Sequence, residues 1–430
     1  MVKIIGGGLA GCEAAWQLAN AGIKSCIYEM KPHKFTPAHH YSGLAELVCS
    51  NSLKASRHDS AAGLLKEEME TLGSLIVPCA KANAVEAGGA LAVDRERFSD
   101  MVTEKIHSHP LIEVIDEEVE TIPEGPVIIA TGPLTAGGLA ENIRRMCGDY
   151  LSFFDAAAPI VTFESLDMDK VFFASRYDRG DADYINCPMN KEEYLAFYNA
   201  LITAESAPLK EFDKRDFKVY EGCMPVEVLA RRGEDTMRYG PLKPVGLTDK
   251  RTGKRPYAVV QLRKENAHGT MYNLVGFQTN LKFGEQKRVF SMITGLENAE
   301  FVRYGVMHRN SFIDSPKLLE PTYALKSNHD IFFAGQITWV EGDIESAASG
   351  IMAGINMARH LRNEEPLVMP AETMIGALTA YISGGCSGEF QPMGCNMGIL
   401  PDLPVRIKDK KAKYTAYADR AIEALNRTIK

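Results

Sequence analysis

The chain opens on a short apolar run, Val2-Lys3-Ile4-Ile5, which breaks at once into Gly6-Gly7-Gly8-Leu9-Ala10-Gly11. A run of that kind, closed by glycine, predicts a short buried strand. From Cys12 to Asn20 the sequence CEAAWQLAN is Ala-rich and helical in character, and Ala21-Gly22 ends it. A second run, Ile23 to Glu29, predicts another strand, so the opening reads as one βαβ unit.

Two later runs end on glycine in the same way. Pro126-Val127-Ile128-Ile129-Ala130 meets Thr131-Gly132-Pro133, and Asp330-Ile331-Phe332-Phe333-Ala334 meets Gly335-Gln336. After Gly342 the stretch ESAASGIMAGINMARHL predicts a helix with small residues along it. Between these flanks lie β-like stretches, Tyr257 to Leu262 and Met271 to Phe277 among them, with loops and basic turns. The simplest organisation is a nucleotide-binding domain in two parts, 1–150 and 326–430, the second ending in a C-terminal tail. Residues 151–325 form an insertion between them. No internal repeat is visible, and the Lys-rich stretch Arg406 to Lys413 comes nearest to low complexity.

Composition narrows the class. With 430 residues, 45% hydrophobic and 24% charged, the chain is neither disordered, collagen-like nor a small disulfide-stapled domain. Its net charge of −8 makes it an unobvious electrostatic partner for nucleic acid as a whole. The nine cysteines form no C-x-x-C pair and no zinc-spaced cluster, so neither a disulfide framework nor a metal is expected. No apolar run reaches the ~18 residues of a membrane helix. The opening MVKIIGGG resembles no signal peptide, so a cytoplasmic protein with no membrane partner is expected.

Gly6-x-Gly8-x-x-Gly11 gains force from its setting between a strand and a helix, with Glu29 at the end of the next strand. Gly6 permits the tight turn, Gly8 lets a pyrophosphate approach the backbone, and Gly11 allows close helix–strand packing. The helix N-terminus offers unpaired N–H groups to the phosphates, and Glu29 suits a ribose hydroxyl. The competing reading is a glycine-rich turn with no ligand. A simple NAD dehydrogenase does not need the late strand–glycine–helix return. That return, with Gly132 inside the chain, favours FAD, although Gly335 and Gly342 taken alone also fit ordinary turns.

The motifs AELVCSNSLK (45–54), AGGALAVDRERFS (87–99), EGCMPVEVLARRG (221–233), KRPYAVVQLR (254–263), RYGVMHRNSFIDSPKLL (303–319) and FFAGQI with VEGDIESAASG run in order and spacing along the chain. They closely resemble the bacterial folate- and FAD-dependent tRNA uracil-5-methyltransferases, the TrmFO family, as far as about Pro401. The resemblance implies an α/β fold: a Rossmann-like FAD-binding domain, glutathione-reductase-like and related to the GidA/MnmG flavoproteins, with an inserted α+β domain. It implies that methylenetetrahydrofolate donates a carbon to C5 of uridine-54 in the tRNA T-loop. FAD recharged by NAD(P)H supplies the reducing equivalents, and ribothymidine results. The cofactor-binding residues implied are Gly6, Gly7, Gly8, Leu9, Ala10, Gly11, Glu29, Gly132, Gly335, Gln336, Gly342 and Glu345.

Uracil C5 becomes nucleophilic once a thiolate adds to C6, and a base must then remove the C5 proton before elimination. Most cysteines in a chain are inert packing. The two that match the family's catalytic positions are Cys223, expected as the nucleophile, and Cys49, its partner in proton handling or adduct resolution. The two roles are exchangeable at this level. His308 matches a position associated with stacking on the pterin, and Arg309 suits the folate's glutamate carboxylate.

Charge is uneven. From Lys243 to Lys264 seven basic residues, including Lys250, Arg251, Lys254 and Arg255, stand against Asp249 alone. With Tyr257 among them they suit phosphate contacts and base stacking. Taken alone, a solvated β-hairpin is the better reading. Arg406 to Lys413 adds a second basic stretch, equally readable as a solvated terminus.

The chain departs from the family's late motif at Trp339, where Gly is usual, and at Asp343, where Tyr is usual. Three rival functions share parts of the pattern: a wobble-uridine-modifying flavoprotein, a paralogue methylating ribosomal RNA, and a flavin-binding RNA chaperone. The product base separates the first, the sequence separates the second poorly, and the pair Cys49 and Cys223 argues against the third.

Overall fold

The computed structural model describes residues 1–148, 151–178, 181–207, 224–385 and 393–429, without the side chains of 151–155, 308, 309 and 385. A six-stranded sheet forms the base. Its order is Ala324–Leu325, Asn328–Phe333, Val127–Ile129, Val2–Ile5, Ser25–Glu29 and Ile112–Asp116. All neighbours run parallel except the edge pair formed by Ala324–Leu325. Successive residues of a strand point to opposite faces, and the register turns that alternation into two cores. Ile4, Ile128 and Phe332 lie side by side and join the larger core, whereas the row Ile5, Ile129 and Phe333 joins a smaller one with Ile313 and Leu319.

The first helix, Leu9–Asn20, begins three residues earlier than expected, because Gly8 is its N-cap, and the second strand starts at Ser25. That helix packs against Asp343–Leu361, where the small residues noted above let the backbones meet. A Cβ at Gly354 would sit 2.7 Å from the Ala14 carbonyl oxygen, and one at Gly350 would sit 2.7 Å from the Ala10 Cα.

A second sheet is antiparallel throughout, in the order Phe172–Phe173, Ile185–Met189, Ala258–Lys264, Met271–Leu274, Ile160–Thr162 and Phe301–Arg303. It has its own core, in which Val260, Leu262 and Leu274 meet Phe197, Phe277 and Phe290. A two-stranded ribbon, Leu151–Ala156 with Met307–Phe312, lies where the chain passes between the two sheets in each direction. A small third sheet pairs Ala90–Val93 with Ser52–Ala55 and Ala84–Val85.

The basic strip is not a solvated hairpin. Its first half is a run of turns closed by the bridge Asp249↔Lys254, and its second half is the strand Ala258–Lys264, buried between two neighbours. The Lys-rich tail leads into a helix, Lys410–Thr428, capped by Asp409 and seated through Tyr417 and Leu425. Among the described residues no helix is long and apolar enough to cross a membrane.

Candidate functional site

A cavity of about 610 Å³ opens above the C-terminal ends of the central parallel strands. Gly6, Gly8, Leu9, Ala10, Glu29, Gly132, Gly335, Gln336 and Gly342 all line it. Two helix N-termini face it, and neither Gly8 nor Gly342 caps its helix with a side chain, so the first-turn N–H groups stay open to a ligand. Gly6 has φ +103°, and a Cβ there would fall 2.5 Å from the Ala130 carbonyl oxygen. Only glycine fits that turn.

Gly7 and Gly11 act from behind the wall. The Gly7 N–H donates to Glu29 Oε2 at 2.8 Å, and the Lys31 N–H donates to Glu29 Oε1 at 3.0 Å. Each carboxylate oxygen keeps a second lone pair for a ribose hydroxyl. The helix packs at Gly11 so closely on the Gly6 carbonyl that no Cβ fits. Glu345 is fully buried and reaches the cavity through Lys54, whose Nζ lies 2.5 Å from its Oε1, while the Cys395 N–H donates to the same oxygen. Burial works against the Lys54 ammonium, but the Glu345 carboxylate outweighs it and holds the amine protonated above its ordinary range.

Cys49 lines the same cavity. Other cysteines sit in apolar surroundings where burial pushes the thiol up, Cys79 to about 11 and Cys147 to about 12. The Cys49 loop is clamped from two sides. Arg95 donates to the Leu47 and Val48 carbonyls at 2.8 and 2.9 Å and pairs with Glu265 at 2.8 Å. Arg263 donates to Ser50 Oγ at 2.7 Å and Asn51 Oδ1 at 3.1 Å. Cys223 lies outside the described residues, as do the side chains of His308 and Arg309, although their strand neighbour Asn310 lines the cavity.

The basic residues divide. Lys250, Arg251, Lys254 and Arg255 are exposed on the turns and do not line the cavity. Arg251 pairs with Asp249 at 2.7 Å, which leaves it less available for phosphate. Arg263 is buried and Lys264 is paired with Glu86, so neither is an open phosphate contact. Tyr257 is covered by Arg238, 3.6 Å above its ring, and is not an open stacking platform. Sequence reasoning missed Arg95, Asn51 and Lys54 as parts of the site, though all three sit inside motifs that carried the resemblance.

The departure at Trp339 has a visible consequence. Its φ is +77°, in the left-handed region that glycine occupies without strain, and its ring packs on Phe312. Asp343 opens the helix Asp343–Leu361, where a carboxylate suits the helix dipole.

A split parallel sheet, a glycine turn at its first strand, a second uncapped helix end and an inserted antiparallel domain define a two-part dinucleotide-binding fold of the flavoprotein type. Residues 1–365 match the family described as Glucose inhibited division protein A. Methylenetetrahydrofolate–tRNA-(uracil-5-)-methyltransferases TrmFO are similar along nearly their whole length. The one from Listeria innocua is 58% identical over 99% of this chain and 98% of its own. That from Acetivibrio thermocellus is 59% identical over 100% and 98%. A crystal structure of GidA from Aquifex aeolicus superposes with a TM-score of 0.71 at 16% identity, covering 99% of this chain and 73% of that one, which speaks to the fold alone. The chain belongs to the TrmFO family.

Proposed function

We propose that this protein is a methylenetetrahydrofolate- and FAD-dependent tRNA uracil-5-methyltransferase that acts on uridine-54 of the T-loop and takes its electrons from NADH or NADPH. The observation that carries this reading is the end-to-end similarity to methyltransferases of that name, 58% identical over 99% of the chain. The T-loop position and the nicotinamide go beyond those names and rest on the sequence motifs.

FAD fits the cavity: the open N–H groups after Gly8 suit its pyrophosphate, Glu29 its ribose, and the helix start at Gly342 its ring end. When bound and reduced it supplies the hydride equivalent that completes a methyl group. The protein's own part is to activate the uracil. A thiolate, assigned to Cys223, adds to C6, the C5=C6 π electrons move onto C5 and O4, and C5 bonds to the methylene carbon of an iminium, whose C=N π electrons return to its nitrogen. Loss of the C5 proton, a step assigned to Cys49, lets the C6–S bond break and the thiolate leave. His308 is assigned to the pterin face and Arg309 to its glutamate carboxylate. Lys250, Arg251, Lys254 and Arg255 are assigned to tRNA phosphates, Arg251 at the expense of its pairing with Asp249. A cytoplasmic location, where tRNA, folate and reduced nicotinamide meet, fits this role.

The test is the source of the carbon. Label from methylenetetrahydrofolate enters tRNA only when flavin and reduced nicotinamide are present, and label from S-adenosylmethionine does not enter. Methylation from S-adenosylmethionine, or none from folate, overturns the reading.

A further inference from the structure

Lys54 lies in the short strand Ser52–Ala55 with φ +62°, and the pairing of that strand with Ala90–Val93 shifts register around it. A lysine has no preference for the left-handed region, so its surroundings hold it there. The side chain runs to the start of the helix Asp343–Leu361. Its Nζ meets Glu345 Oε1 at 2.5 Å. A Cβ on Gly342 would fall 2.7 Å from that Nζ, and one on Gly394 3.3 Å from it. These two glycines leave room for the ammonium. Glu345 is fully buried, whereas the Lys54 side chain is 43% exposed and lines the cavity. The pair thus shows the cavity its positive member alone.

The setting isolates that charge. Lys66 is buried and donates to the Ala55 and Ala62 carbonyls at 2.8 and 2.9 Å without reaching the cavity. Lys31 and Lys34 line the cavity on the segment after Glu29, where they pair with Glu46 and Glu118. At the Gly342 end the lining otherwise carries two acids, Glu341 and Asp343. Among the described residues Lys54 is the single cation there, and it adds to the partial positive charge of the uncapped helix start.

Hydride transfer from reduced nicotinamide moves two electrons and one proton. The nicotinamide is oxidised, and a flavin ring that accepts the hydride is left with one negative charge. Fixed charge beside the ring decides how readily it is reduced. Without Lys54, the same wall would present Glu341 and Asp343 alone.

We propose that Lys54, anchored by Glu345, sets the reduction potential of the flavin by stabilising the negative charge of its reduced ring. The inference rests on the reading that FAD occupies this cavity with its ring end at Gly342.

Reduction of the flavin-bound full chain alongside a dye of known potential, with oxygen excluded, tests it. Lys54→Met is expected to lower the equilibrium constant for flavin reduction about tenfold, ~30 mV for a two-electron couple. Lys54→Arg keeps the charge and is expected to stay near the parent. An unchanged constant in flavin-bound Lys54→Met overturns the proposal, and so does an equal fall in Lys54→Arg. Loss of flavin from Lys54→Met overturns it too, because the lysine would then serve binding and not potential. A parent chain that takes up no FAD overturns the cofactor reading and the proposal together. Methyl transfer from folate by the parent is measured apart and reports on the proposed reaction alone.

Discussion

Arg263 Nε donates to Asn51 Oδ1 at 3.1 Å, joining two residues 212 positions apart. Asn51 is fully buried, and its amide nitrogen donates in turn to the Val93 carbonyl at 3.0 Å and the Lys264 carbonyl at 2.8 Å. One side chain thus ties the Cys49 loop to the small third sheet and to the antiparallel sheet. Asn51→Ala would leave the buried Arg263 guanidinium short of an acceptor and two carbonyls short of a donor. The expected cost is about 2–4 kcal/mol, read as a lower urea midpoint, with methylation falling further than stability. An unchanged midpoint would show that the two sheets do not depend on this joint.

Trp339 sits at φ +77°, in the region that glycine adopts without strain. Trp339→Gly relieves about 1–2 kcal/mol of backbone strain but removes a large buried ring from Phe312. Deleting such a ring costs about 3–5 kcal/mol, so packing wins and the variant is less stable by about 1–4 kcal/mol. A variant as stable as the parent would show that the indole is tolerated and not built in.

Glu68 sets a pH dependence. Its buried carboxylate accepts the N–H groups of Met374 and Ile375 at 2.6 and 2.8 Å, capping the helix Met374–Ala380. Burial outweighs these bonds and pushes the group up to about 8. Between the unfolded value near 4.5 and that point, the folded chain holds a proton that the unfolded chain releases. Stability contributed by this group therefore falls as pH rises through the window and levels off above it. Glu13, pushed up to about 7 by burial, acts with the same sign. Urea midpoints across this window are expected to decline less steeply in Glu68→Gln than in the parent. Equal slopes would contradict the assignment.

Gly350 faces Ala10 so closely that a side chain there must separate the first helix from Asp343–Leu361. Those helices present the two uncapped N-termini of the cavity. Gly350→Val is expected to lose most of its flavin, read as flavin absorbance per chain, while the antiparallel domain keeps its secondary structure. Full flavin retention would mean that the helix spacing does not govern the site.

Much of the first sheet was legible because its signals are local. The strand before Gly6, the glycines, and Glu29 lie within a single βαβ unit, and the late return repeats the strand–glycine pattern at Phe333 and Gly335. What local pattern leaves unwritten is partnership across long separations. Arg263 and Lys264 read as open phosphate contacts until Asn51 and Glu86 fall beside them. Tyr257 read as a stacking surface until Arg238 covered it. Arg95 gave no signal of its own, because an arginine in the first turn of a helix is ordinarily a solvated charge.

The central claim is a uridine, a position and a carbon source together. Unmodified tRNA incubated with the flavin-bound protein, methylenetetrahydrofolate and NADH or NADPH, then digested and mapped by mass spectrometry, tests all three. The predicted result is one added methyl group, at C5 of uridine-54. A modified wobble uridine, or a T-loop left unmethylated under these conditions, would contradict it.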